Sequence, residues 1–480
     1  MQTPRMVFNS ANAHVVRFGG RAMLLHVPTT ALFELDELGQ TVISKATAEP
    51  ELDVGQLHRE LAGRFAPRDV TDFVDRLTDL EVLQAPGHER VVNPGRIQVD
   101  SYPLSTLVLN VNTGCNLSCT YCYKEDLQTP ARGQRMDFSV ASRSVDLLLQ
   151  QAEARDSVSI VFFGGEPLTN VPLIRQVVEY AERRGQETGK HVEFSLTTNA
   201  TLLTTELIDF FAAHRFGISI SIDGPKLIHD RNRRSVGGKG TYDVVEKKAR
   251  LLLERYRAKP IGARVTLTAG TTEVEEIHAH LRGQLGFHEV GYAPVTSSNK
   301  ATYALSTEEL TAVHAGFERL GRQYLDYALR GQNNGFSNMH QLMTDLHEGR
   351  RKSLPCGAGV GLLAVDRQGG LNLCHRFTGS ELPVFGDVNS GIDSERLGEF
   401  LGRAADRTGT HCASCRIRNL CAGGCYHEAY ARFGDPLHRT YHYCDLLRSW
   451  VDFGIGIYAE IMTRNPAFFR SHIETRRTHA

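Results

Sequence analysis

Residues 105–295 alternate six strand-like segments with helical stretches, and this alternation constrains the fold more than any other feature of the chain. The strand-like segments are STLVLNV (105–111), SVSIVFF (157–163), VEFSLTT (192–198), GISISI (217–222), ARVTLTA (263–269) and HEVGYAPV (288–295). Helical patterns lie between them at 138–153, 172–187, 204–214, 241–257 and 273–284. Strands that alternate with helices build parallel β-α units. Six units are fewer than the eight of a closed barrel, so we predict an α/β fold with a partial (β/α)6 barrel over residues 100–300.

Further units are expected on both sides of the barrel, because 480 residues exceed an ordinary single domain. Residues 1–90 combine two short strands with helical patterns near 29–46, 55–65 and 69–82, which predicts a small α+β, winged-helix-like domain. The remaining predicted units are a bridge of polar, exposed helices at 301–350, a cysteine-rich domain at 351–450, and a C-terminal helix and tail at 451–480, with the helical pattern itself starting at 445.

The charge balance and the apolar pattern argue against several functional classes. The formal net charge is −1, which gives no general attraction to nucleic acid or to an anionic membrane. The N-terminal segment MQTPRMVFNS lacks the apolar core of a signal peptide, and apolar runs such as AMLLHV (22–27) are too short to span a bilayer. We therefore expect a cytoplasmic protein without a membrane or nucleic-acid partner.

Three of the ten cysteines follow the first predicted strand within eight residues. Cys115, Cys119 and Cys122 are spaced C-x3-C-x2-C, at the strand end where parallel β/α folds place their chemistry. A reducing compartment disfavours disulfides, and clustered cysteines in such a chain more often bind metal. A [4Fe–4S] cluster normally takes four thiolates, so three would leave one iron open to a small molecule. Half of a zinc site is the alternative.

The spacing, with Tyr121 before the last cysteine, resembles the signature of radical S-adenosylmethionine (SAM) enzymes. The resemblance implies that Cys115, Cys119 and Cys122 hold a [4Fe–4S] cluster whose open iron chelates S-adenosyl-L-methionine. One electron then releases a 5′-deoxyadenosyl radical, which removes hydrogen from a substrate carbon. In such enzymes the cofactor supplies the chemistry and the protein supplies position and shelter from water.

Three later motifs, each following a predicted strand, resemble cofactor-binding segments of the same superfamily. FFGGEP (162–167), TTNA (197–200) and SIDGPKLIHDRNRR (221–234) follow the second, third and fourth strands. Glycines permit close backbone approach, and a carboxylate pairs with an amino group. By resemblance, Gly164, Gly165 and Glu166 hold the cofactor's amino group, Thr198 and Asn199 face the cofactor, Ser221 contacts its ribose and Arg233 its carboxylate.

SVGGKGTYD (235–243) is not a phosphate-binding loop. Gly240 stands where that motif requires Ser or Thr, so we predict a loop that precedes a helix with Thr241 as its N-cap.

The other seven cysteines resemble the SPASM extension of radical SAM enzymes that modify peptides. They run C-x12-G-x4-C from Cys356 through Gly369 to Cys374, then C-x2-C-x5-C-x3-C from Cys412 to Cys425, and end with Cys444. The resemblance implies two auxiliary [4Fe–4S] clusters, and so three clusters in total. Cys412, Cys415, Cys421 and Cys444 would bind the outer cluster, and Cys356, Cys374 and Cys425 the inner one.

The fourth ligand of the inner cluster is left open by this resemblance. Asp366, His375, water or a substrate thiol are candidates, and we hypothesise a substrate thiolate. Zinc is the rival for this region, since His438 and His442 near Cys444 could complete a second tetrahedral site.

Residues 1–90 resemble PqqD-like elements that hold a leader peptide along a strand edge. A DNA-binding winged helix is disfavoured, because no clustered basic stripe is present. The CNLSCTYCYKEDL run (115–127) and the layout look most like the maturase of quinohaemoprotein amine dehydrogenase. That resemblance implies thioether links from cysteine sulfur to Asp or Glu methylene carbons in a small, Cys-containing subunit. It also implies an electron donor such as flavodoxin or ferredoxin.

Other functions remain open at this point. An anaerobic sulfatase maturase would form formylglycine, but that group places an aspartate base where His375 stands here. Another thioether-forming peptide maturase and a non-enzymatic metal-binding scaffold are further alternatives. The base that deprotonates the substrate thiol is unassigned, with Asp223 as one candidate.

Overall fold

In the computed structural model, the described residues are 4–92, 104–123, 133–152, 155–296, 301–439 and 442–474. They form a small N-terminal unit, a β/α core and a cysteine-rich region. None of the helices within these ranges is both long enough and apolar enough to cross a bilayer.

The N-terminal unit has the expected α+β character, with more strands than predicted. Its strands are β1 (Arg5–Phe8), β2 (Ala13–Phe18), β3 (Arg21–His26), β4 (Ala31–Glu34), β5 (Leu52–Asp53) and β6 (Leu83–Gln84), and its helices are α1 (Glu37–Ala48), α2 (Val54–Leu61) and α3 (Pro67–Asp79). The described strands form two antiparallel sheets, ordered β2-β3-β4 and β5-β1-β6. The helix expected from residue 29 begins at Glu37, because 31–34 pair with β3 and Asp36 caps the helix by accepting a hydrogen bond from the Gly39 amide.

The β2-β3 hairpin belongs to two cores at once. Successive side chains of a strand point to opposite faces. Leu24 therefore packs into the core of the N-terminal unit, whereas Met23 and Leu25 pack into the main core. The unit is thus docked against the rest of the protein through one face of its sheet.

The core confirms the predicted partial barrel. Its strands are β7 (Thr106–Asn110), β8 (Ser157–Phe163), β9 (His191–Thr198), β10 (Gly217–Ser221), β11 (Ile261–Leu267) and β12 (Glu289–Pro294), all parallel to their neighbours in this order. Its helices are α4 (Phe138–Gln151), α5 (Val171–Thr188), α6 (Thr205–Ala213), α7 (Lys226–Asn232), α8 (Tyr242–Arg255) and α9 (Val274–His278), with a 3-10 turn at Pro167–Asn170 and a π-helical turn at Ala279–Leu285. Helix α7 was not predicted.

The burial pattern of the core strands shows where the working face lies. In β8, Val158, Ile160 and Phe162 are almost fully buried under the helices, while the alternate residues are partly accessible. Parallel strands covered on both faces would be apolar at every position. The alternation therefore indicates that the inner face lines a cavity.

The helical bridge differs from its expected exposed character. Helices α10 (Thr307–Leu329) and α11 (Ser337–His347) bury Leu310, Leu320, Tyr324 and Met339 among others. The sequence misleads here because α10 carries charged residues and α11 carries polar residues beside their apolar ones.

The cysteine-rich region contributes to the core sheet, which was not expected. Its elements are β13 (Leu362–Val365), β14 (Leu371–Asn372), β15 (Gly386–Asp387), β16 (Gly391–Ile392), α12 (Ser394–Ala405), α13 (Arg418–Cys421), α14 (Tyr426–Phe433), α15 (Cys444–Arg464) and α16 (Ala467–His472). Strand β13 pairs in parallel with β7, and β14 pairs antiparallel with β13. Across the described residues the sheet order is β12-β11-β10-β9-β8-β7-β13-β14. Helix α15 runs through position 450, so the boundary expected there falls inside a helix.

Candidate active site

A cavity of about 500 Å³ opens at the carboxyl ends of the core strands. The predicted site residues of the barrel all line it: Cys115, Cys119, Tyr121, Cys122, Gly164, Gly165, Glu166, Thr198, Asn199, Ser221 and Arg233. They come from the loops or ends of four successive strands, β7 to β10. The fold thus brings the predicted residues together, while their individual roles stay predictions.

The cysteine loop after β7 is supported by two neighbouring loops. The amides of Ser118 and Thr120 donate to the carbonyl oxygens of Arg234 (2.8 Å) and Asn232 (3.1 Å) in the loop after β10. The Asn199 amide group donates to Asn116 Oδ1 at 3.0 Å and approaches Cys115 Sγ at 3.8 Å. The three cysteines are therefore held in place by backbone and amide contacts rather than by their own loop alone.

The Gly164–Gly165 pair lets two loops touch through their backbones. The Gly165 and Glu166 amides donate to the carbonyl oxygens of Asn112 (3.2 Å) and Gly114 (3.0 Å). A Cβ atom on Gly165 would lie 2.0 Å from the Gly114 oxygen, and Gly164 has φ +140°. No residue other than glycine fits this contact without a backbone shift.

Glu166 is buried at the bottom of the cavity and is held by uncharged donors. Its Oε1 accepts from Thr198 Oγ1 (2.6 Å) and the Leu168 amide (3.0 Å), and its Oε2 accepts from the Asn199 amide (2.8 Å). Burial raises the pKa of Glu166 to about 6, against the opposing effect of these hydrogen bonds. The carboxylate retains its charge near neutral pH without a cationic hydrogen-bond partner among the described residues.

Asp223 is a different kind of carboxylate. Its Oδ2 accepts from Arg233 Nε (2.9 Å) and from the Tyr121 hydroxyl (2.6 Å), and its Oδ1 accepts from the Thr266 amide (3.0 Å). The Arg233 guanidinium also lies 5.5 Å from the Tyr121 ring centroid. Asp223 therefore orients Arg233 and Tyr121, and these contacts argue against its use as a proton acceptor.

The loop before α8 is built differently from the N-cap expectation. Thr241 occupies the N-cap position, but its hydroxyl donates to the Arg233 carbonyl at 2.7 Å. Asp230 Oδ1 accepts from the Thr241 and Tyr242 amides at 2.8 Å each. The cap of α8 thus also fixes the backbone of Arg233.

Sequence reasoning missed Arg264 of β11, Tyr123 and Arg376 in the lining of the cavity. His375, named above as a candidate ligand of the inner cluster, lines the same cavity. Arg376 donates to the Thr296 hydroxyl, and its guanidinium lies 5.0 Å from the Tyr123 ring centroid. A lone charged residue inside an apolar strand was the available signal for Arg264.

The outer group of cysteines lines a second cavity, of about 930 Å³. Cys412, Cys415, Cys421 and Cys444, the four that the resemblance assigns to the outer cluster, all contribute to it. Four arginines, Arg403, Arg418, Arg439 and Arg448, also line this cavity. Cationic side chains around a thiolate-ligated cluster offset its negative charge.

Cys356, Cys374 and Cys425 form the third group. Burial raises the pKa of Cys374 to about 11, and the neighbouring Cys425 and Cys356 thiols add to the shift, so the three lie close together. Asp366, one candidate for the fourth ligand, accepts hydrogen bonds from the Gln368 and Gly370 amides and from Asn372 Nδ2. Both of its oxygens are committed to the β13–β14 turn, which argues against its role as a ligand.

Burial keeps two thiols of the main cavity, those of Cys115 and Cys119, protonated in the metal-free protein. It raises the pKa of Cys115 to about 12 and of Cys119 to about 11. Thiolates, not thiols, bind iron, so cluster insertion must release protons. Within the described ranges, no three His, Cys, Asp or Glu side chains are grouped to hold a single metal ion.

The family model of the radical SAM superfamily matches residues 109–282. This segment is a radical SAM domain. Such a domain implies a [4Fe–4S] cluster and S-adenosylmethionine, and the residues present fit both. Cys115, Cys119 and Cys122 supply three thiol ligands around one cavity, and the buried Glu166 carboxylate lines the same cavity.

Known proteins resemble the radical SAM domain and much of the surrounding chain. The cysteine-type anaerobic sulfatase-maturating enzyme of Clostridium perfringens (strain 13 / Type A) is 24% identical over 368 residues, covering 73% of this chain and 96% of that enzyme. The solved structure of anSMEcpe with bound AdoMet has a TM-score of 0.65 at 21% identity and covers 75% of this chain and 100% of its own. Streptococcus suis SuiB bound to S-adenosylmethionine has a TM-score of 0.52 at 17% identity and covers 90% and 98%. At these identities the structural likeness establishes the fold alone.

Both solved relatives have also been determined with a peptide. One structure contains anSMEcpe with the Cp18Cys peptide, and another contains SuiB bound to the precursor peptide SuiA.

Proposed function

We propose that the protein is a radical SAM maturase that modifies a polypeptide by joining a cysteine sulfur to a methylene carbon of Asp or Glu. The proposed substrate is the small subunit of a quinohaemoprotein amine dehydrogenase. The observation that carries the proposal is the shared cavity. The cysteine loop of the radical SAM domain and the His375–Arg376 segment, which directly follows Cys374, line one space. A substrate in that space would contact both regions.

The relatives support a polypeptide substrate. The curated relatives are named as maturating enzymes, and the solved relatives include peptide complexes. The cavity of this chain is open to solvent beside Arg264, which gives an extended segment a way in.

We further propose that residues 351–450 are a SPASM domain with two auxiliary [4Fe–4S] clusters. Four cysteines share the second cavity and three more lie close together near Arg376, which supports one ligand set of four and one of three. Asp366 is committed to its turn, so His375, water or a substrate thiolate remains for the open position of the inner cluster. A zinc site of Cys444 with His438 and His442 would instead separate Cys444 from the other three.

In the main cavity the chain's own residues bind and orient the cofactor. Glu166 offers an ionised carboxylate to the amino group, and Arg233, fixed by Asp223 and the Thr241 hydroxyl, faces the cavity to receive a carboxylate. Ser221 at the end of β10 presents a hydroxyl to the ribose. When bound, the first cluster and S-adenosylmethionine would supply one-electron cleavage of the cofactor and hydrogen abstraction from the substrate, and an auxiliary cluster would take up the electron released when the carbon–sulfur bond forms.

His375 is the proposed acceptor of the substrate thiol proton. The three hydrogen bonds that Asp223 accepts argue against this role for it. His375 lines the cavity, with its ring 4.3 Å from that of Phe163 at the end of β8. It occupies the sequence position where sulfatase maturases carry an aspartate.

The N-terminal unit is proposed to be a PqqD-like element that binds part of the polypeptide. Strand β4 is an edge of the β2-β3-β4 sheet, and an extended peptide adds to such an edge through backbone hydrogen bonds. A flavodoxin- or ferredoxin-like protein in the cytoplasm is the proposed electron donor.

A sulfatase maturase that forms formylglycine is the second candidate, favoured by the names of the curated relatives. His375 in place of the aspartate argues against it. A non-enzymatic scaffold would need neither the close Gly164–Gly165 contact nor a buried carboxylate at Glu166, since it binds no cofactor there.

The test is anaerobic turnover with dithionite and S-adenosylmethionine. We expect 5′-deoxyadenosine from the wild type and none from the Cys119→Ala variant. Mass spectrometry of the small subunit co-expressed with the enzyme should then show the loss of two hydrogen atoms per link, with the Cys and acidic residues joined. Formylglycine in a sulfatase peptide without such links would instead select the second candidate.

A further inference from the structure

We propose that Arg264, with Arg376 beside it, binds the carboxylate of an acidic side chain of the substrate. This inference rests on the proposed function, and it assigns a specificity-determining role to residues on the wall opposite the predicted cofactor site.

The strand register directs Arg264 into the cavity and leaves room for it. In β11 the buried side chains are Ala263 and Val265, so Arg264 between them points to the opposite, inner face. Its partners across the sheet are both small, Ser221 in β10 and Gly291 in β12. A Cβ atom on Gly291 would lie 3.3 Å from Arg264 Nη1, so the missing side chain gives the guanidinium its space.

No side chain of the described residues neutralises this guanidinium. The Arg264 guanidinium has no hydrogen bond or ion pair with them, although the backbone carbonyl accepts a hydrogen bond from the Ile222 amide, and the side chain remains accessible from the cavity. Arg264 and Arg376 line the same cavity. Burial lowers the pKa of Arg264, and the positive charge of Arg376 adds to the effect. Two like charges at one cavity wall are stabilised by an anion between them.

The described residues that line the cavity carry more positive than negative charge. Among the described residues that line it, Glu166 is the one carboxylate, against Arg233, Arg264 and Arg376. Asp223, just behind the lining, neutralises Arg233 at 2.9 Å. Glu166 lies with Thr198 and Asn199, on the side of the cysteine loop. Arg376 lies near the Cys374 and Cys425 thiols and can also offset a cluster there, which leaves Arg264 as the principal group for a substrate carboxylate.

A carboxylate matches the fork of an arginine through two parallel hydrogen bonds. An acidic side chain held in this way would place its methylene carbons in the cavity, between Arg264 and the cysteine loop. An amide of the same shape would leave the guanidinium without a counter-charge.

The test measures peptide binding by the full-length protein loaded with its clusters and S-adenosylmethionine, without reductant. The probe is a synthetic peptide with capped termini that carries one Cys and one Glu in an otherwise uncharged sequence, and its counterpart has Gln in place of Glu. We expect calorimetry to show that the wild type binds the Glu peptide roughly 10- to 100-fold more tightly than the Gln peptide. Arg264→Gln should remove this preference, and Arg264→Lys should keep part of it.

Arg250→Gln is the matched control, because Arg250 lies on α8 and pairs with Glu246 at 2.9 Å, away from the cavity. It should keep the full preference. Equal affinities of the wild type for both peptides, or an Arg264→Gln variant that still prefers the Glu peptide, would overturn the inference. Cofactor cleavage without peptide is measured in parallel. If the wild type forms no 5′-deoxyadenosine on reduction, the proposed function fails. If it forms it but shows no peptide preference, only the role of Arg264 fails.

Discussion

Two buried carboxylates, Glu166 in the cavity wall and Asp223 just behind it, differ in what surrounds them, and the difference predicts their roles. Glu166 accepts hydrogen bonds from uncharged groups, the Thr198 hydroxyl and two amides. Asp223 is paired with the guanidinium of Arg233. A carboxylate without a cationic partner is ready to receive a ligand's amino group, whereas a paired one is part of the scaffold.

Cofactor affinity should therefore depend on the ionisation of Glu166. Its pKa is raised to about 6, so the carboxyl takes up a proton as the pH falls from 7 to 5. The protonated group no longer offers a negative charge to the amino group of the cofactor. We expect the affinity for S-adenosylmethionine to fall as the pH decreases through 6, by up to about tenfold per unit below it. Calorimetric titrations of cluster-loaded protein between pH 5 and 8 measure this. Glu166→Gln should bind more weakly at pH 8 and lack the decrease; identical pH profiles for the two proteins would contradict the prediction.

Replacement of Asp223 should lower the free energy of unfolding. Asp223→Asn leaves the Arg233 guanidinium buried without its counter-charge and weakens two further hydrogen bonds. Loss of one partner of a buried ion pair costs about 3–5 kcal/mol. Urea unfolding of the metal-free protein should show a decrease of this size. A matched control is Asp209→Asn, because Asp209 forms an ion pair with Arg255 on the surface and its replacement should leave the free energy of unfolding almost unchanged. Equal losses in the two variants would show that Asp223 is not held as described.

At the scale of residues, the sequence predicted the cofactor side of the cavity and missed the opposite side. Gly164, Glu166 and Arg233 lie in short motifs at strand ends, and such motifs are visible in a single sequence. Arg264 and Arg376 lie in no such motif. Arg264 matters because strand register turns it inward beside Gly291, and register across a sheet is a property of the folded chain.

At the scale of elements, alternation of apolar residues was sufficient for the six core strands, which the structure confirms within about two residues of the expected ends. It was not sufficient for β13. Four residues, Leu362–Val365, could as well lie in a helix or loop, and only their pairing with β7 makes them a strand. The same limit applies to β4. The apolar spacing near 29–46 predicts a helix that includes these residues, and only their pairing with β3 makes them a strand.

The contact between the glycine loop and the cysteine loop should be intolerant of one added methyl group. Gly165→Ala would place a Cβ atom 2.0 Å from the Gly114 oxygen and must displace the backbone before Cys115. We expect a loss of about 1–3 kcal/mol in unfolding free energy and less iron bound at the first cluster. Iron and sulfide analysis after anaerobic reconstitution, on protein whose seven other cysteines are replaced by serine, would isolate this site. Gly283→Ala is the control, because nothing lies within 4 Å of its Cβ position. Equal iron content in the two variants would refute the prediction.

At the scale of the whole molecule, the N-terminal unit and the outer cysteine group are joined by one buried arginine. Arg418 donates to the carbonyl oxygens of Ala11 and Val92 (2.8 Å for Val92), and to the Cys415 carbonyl at 3.4 Å. The neighbouring Asn419 donates to the Val27 carbonyl at 2.8 Å. These contacts join residues hundreds of positions apart, so no local pattern in the sequence could have predicted them.

Arg418→Gln should loosen the N-terminal unit and the outer cysteine group together. Several buried carbonyl groups would lose their donor, at a cost on the order of 3 kcal/mol. Hydrogen exchange should accelerate in β2, β3 and α13, and less iron should be retained by the outer group. Arg59→Gln, an exposed substitution on α2, should change neither. Faster exchange in β2 and β3 alone, with unchanged iron, would show that the two regions are independent.

The pairing of β13 with β7 has a consequence for protein synthesis. The strand that precedes the radical-generating loop is completed at residue 110, yet its sheet neighbour emerges from the ribosome some 250 residues later, together with the histidine and arginine that close the cavity. In a nascent chain, therefore, the cavity lacks part of its lining until translation is nearly over. Truncated products that end before residue 362 would leave the edge of β7 unpaired, and an unpaired strand edge favours aggregation.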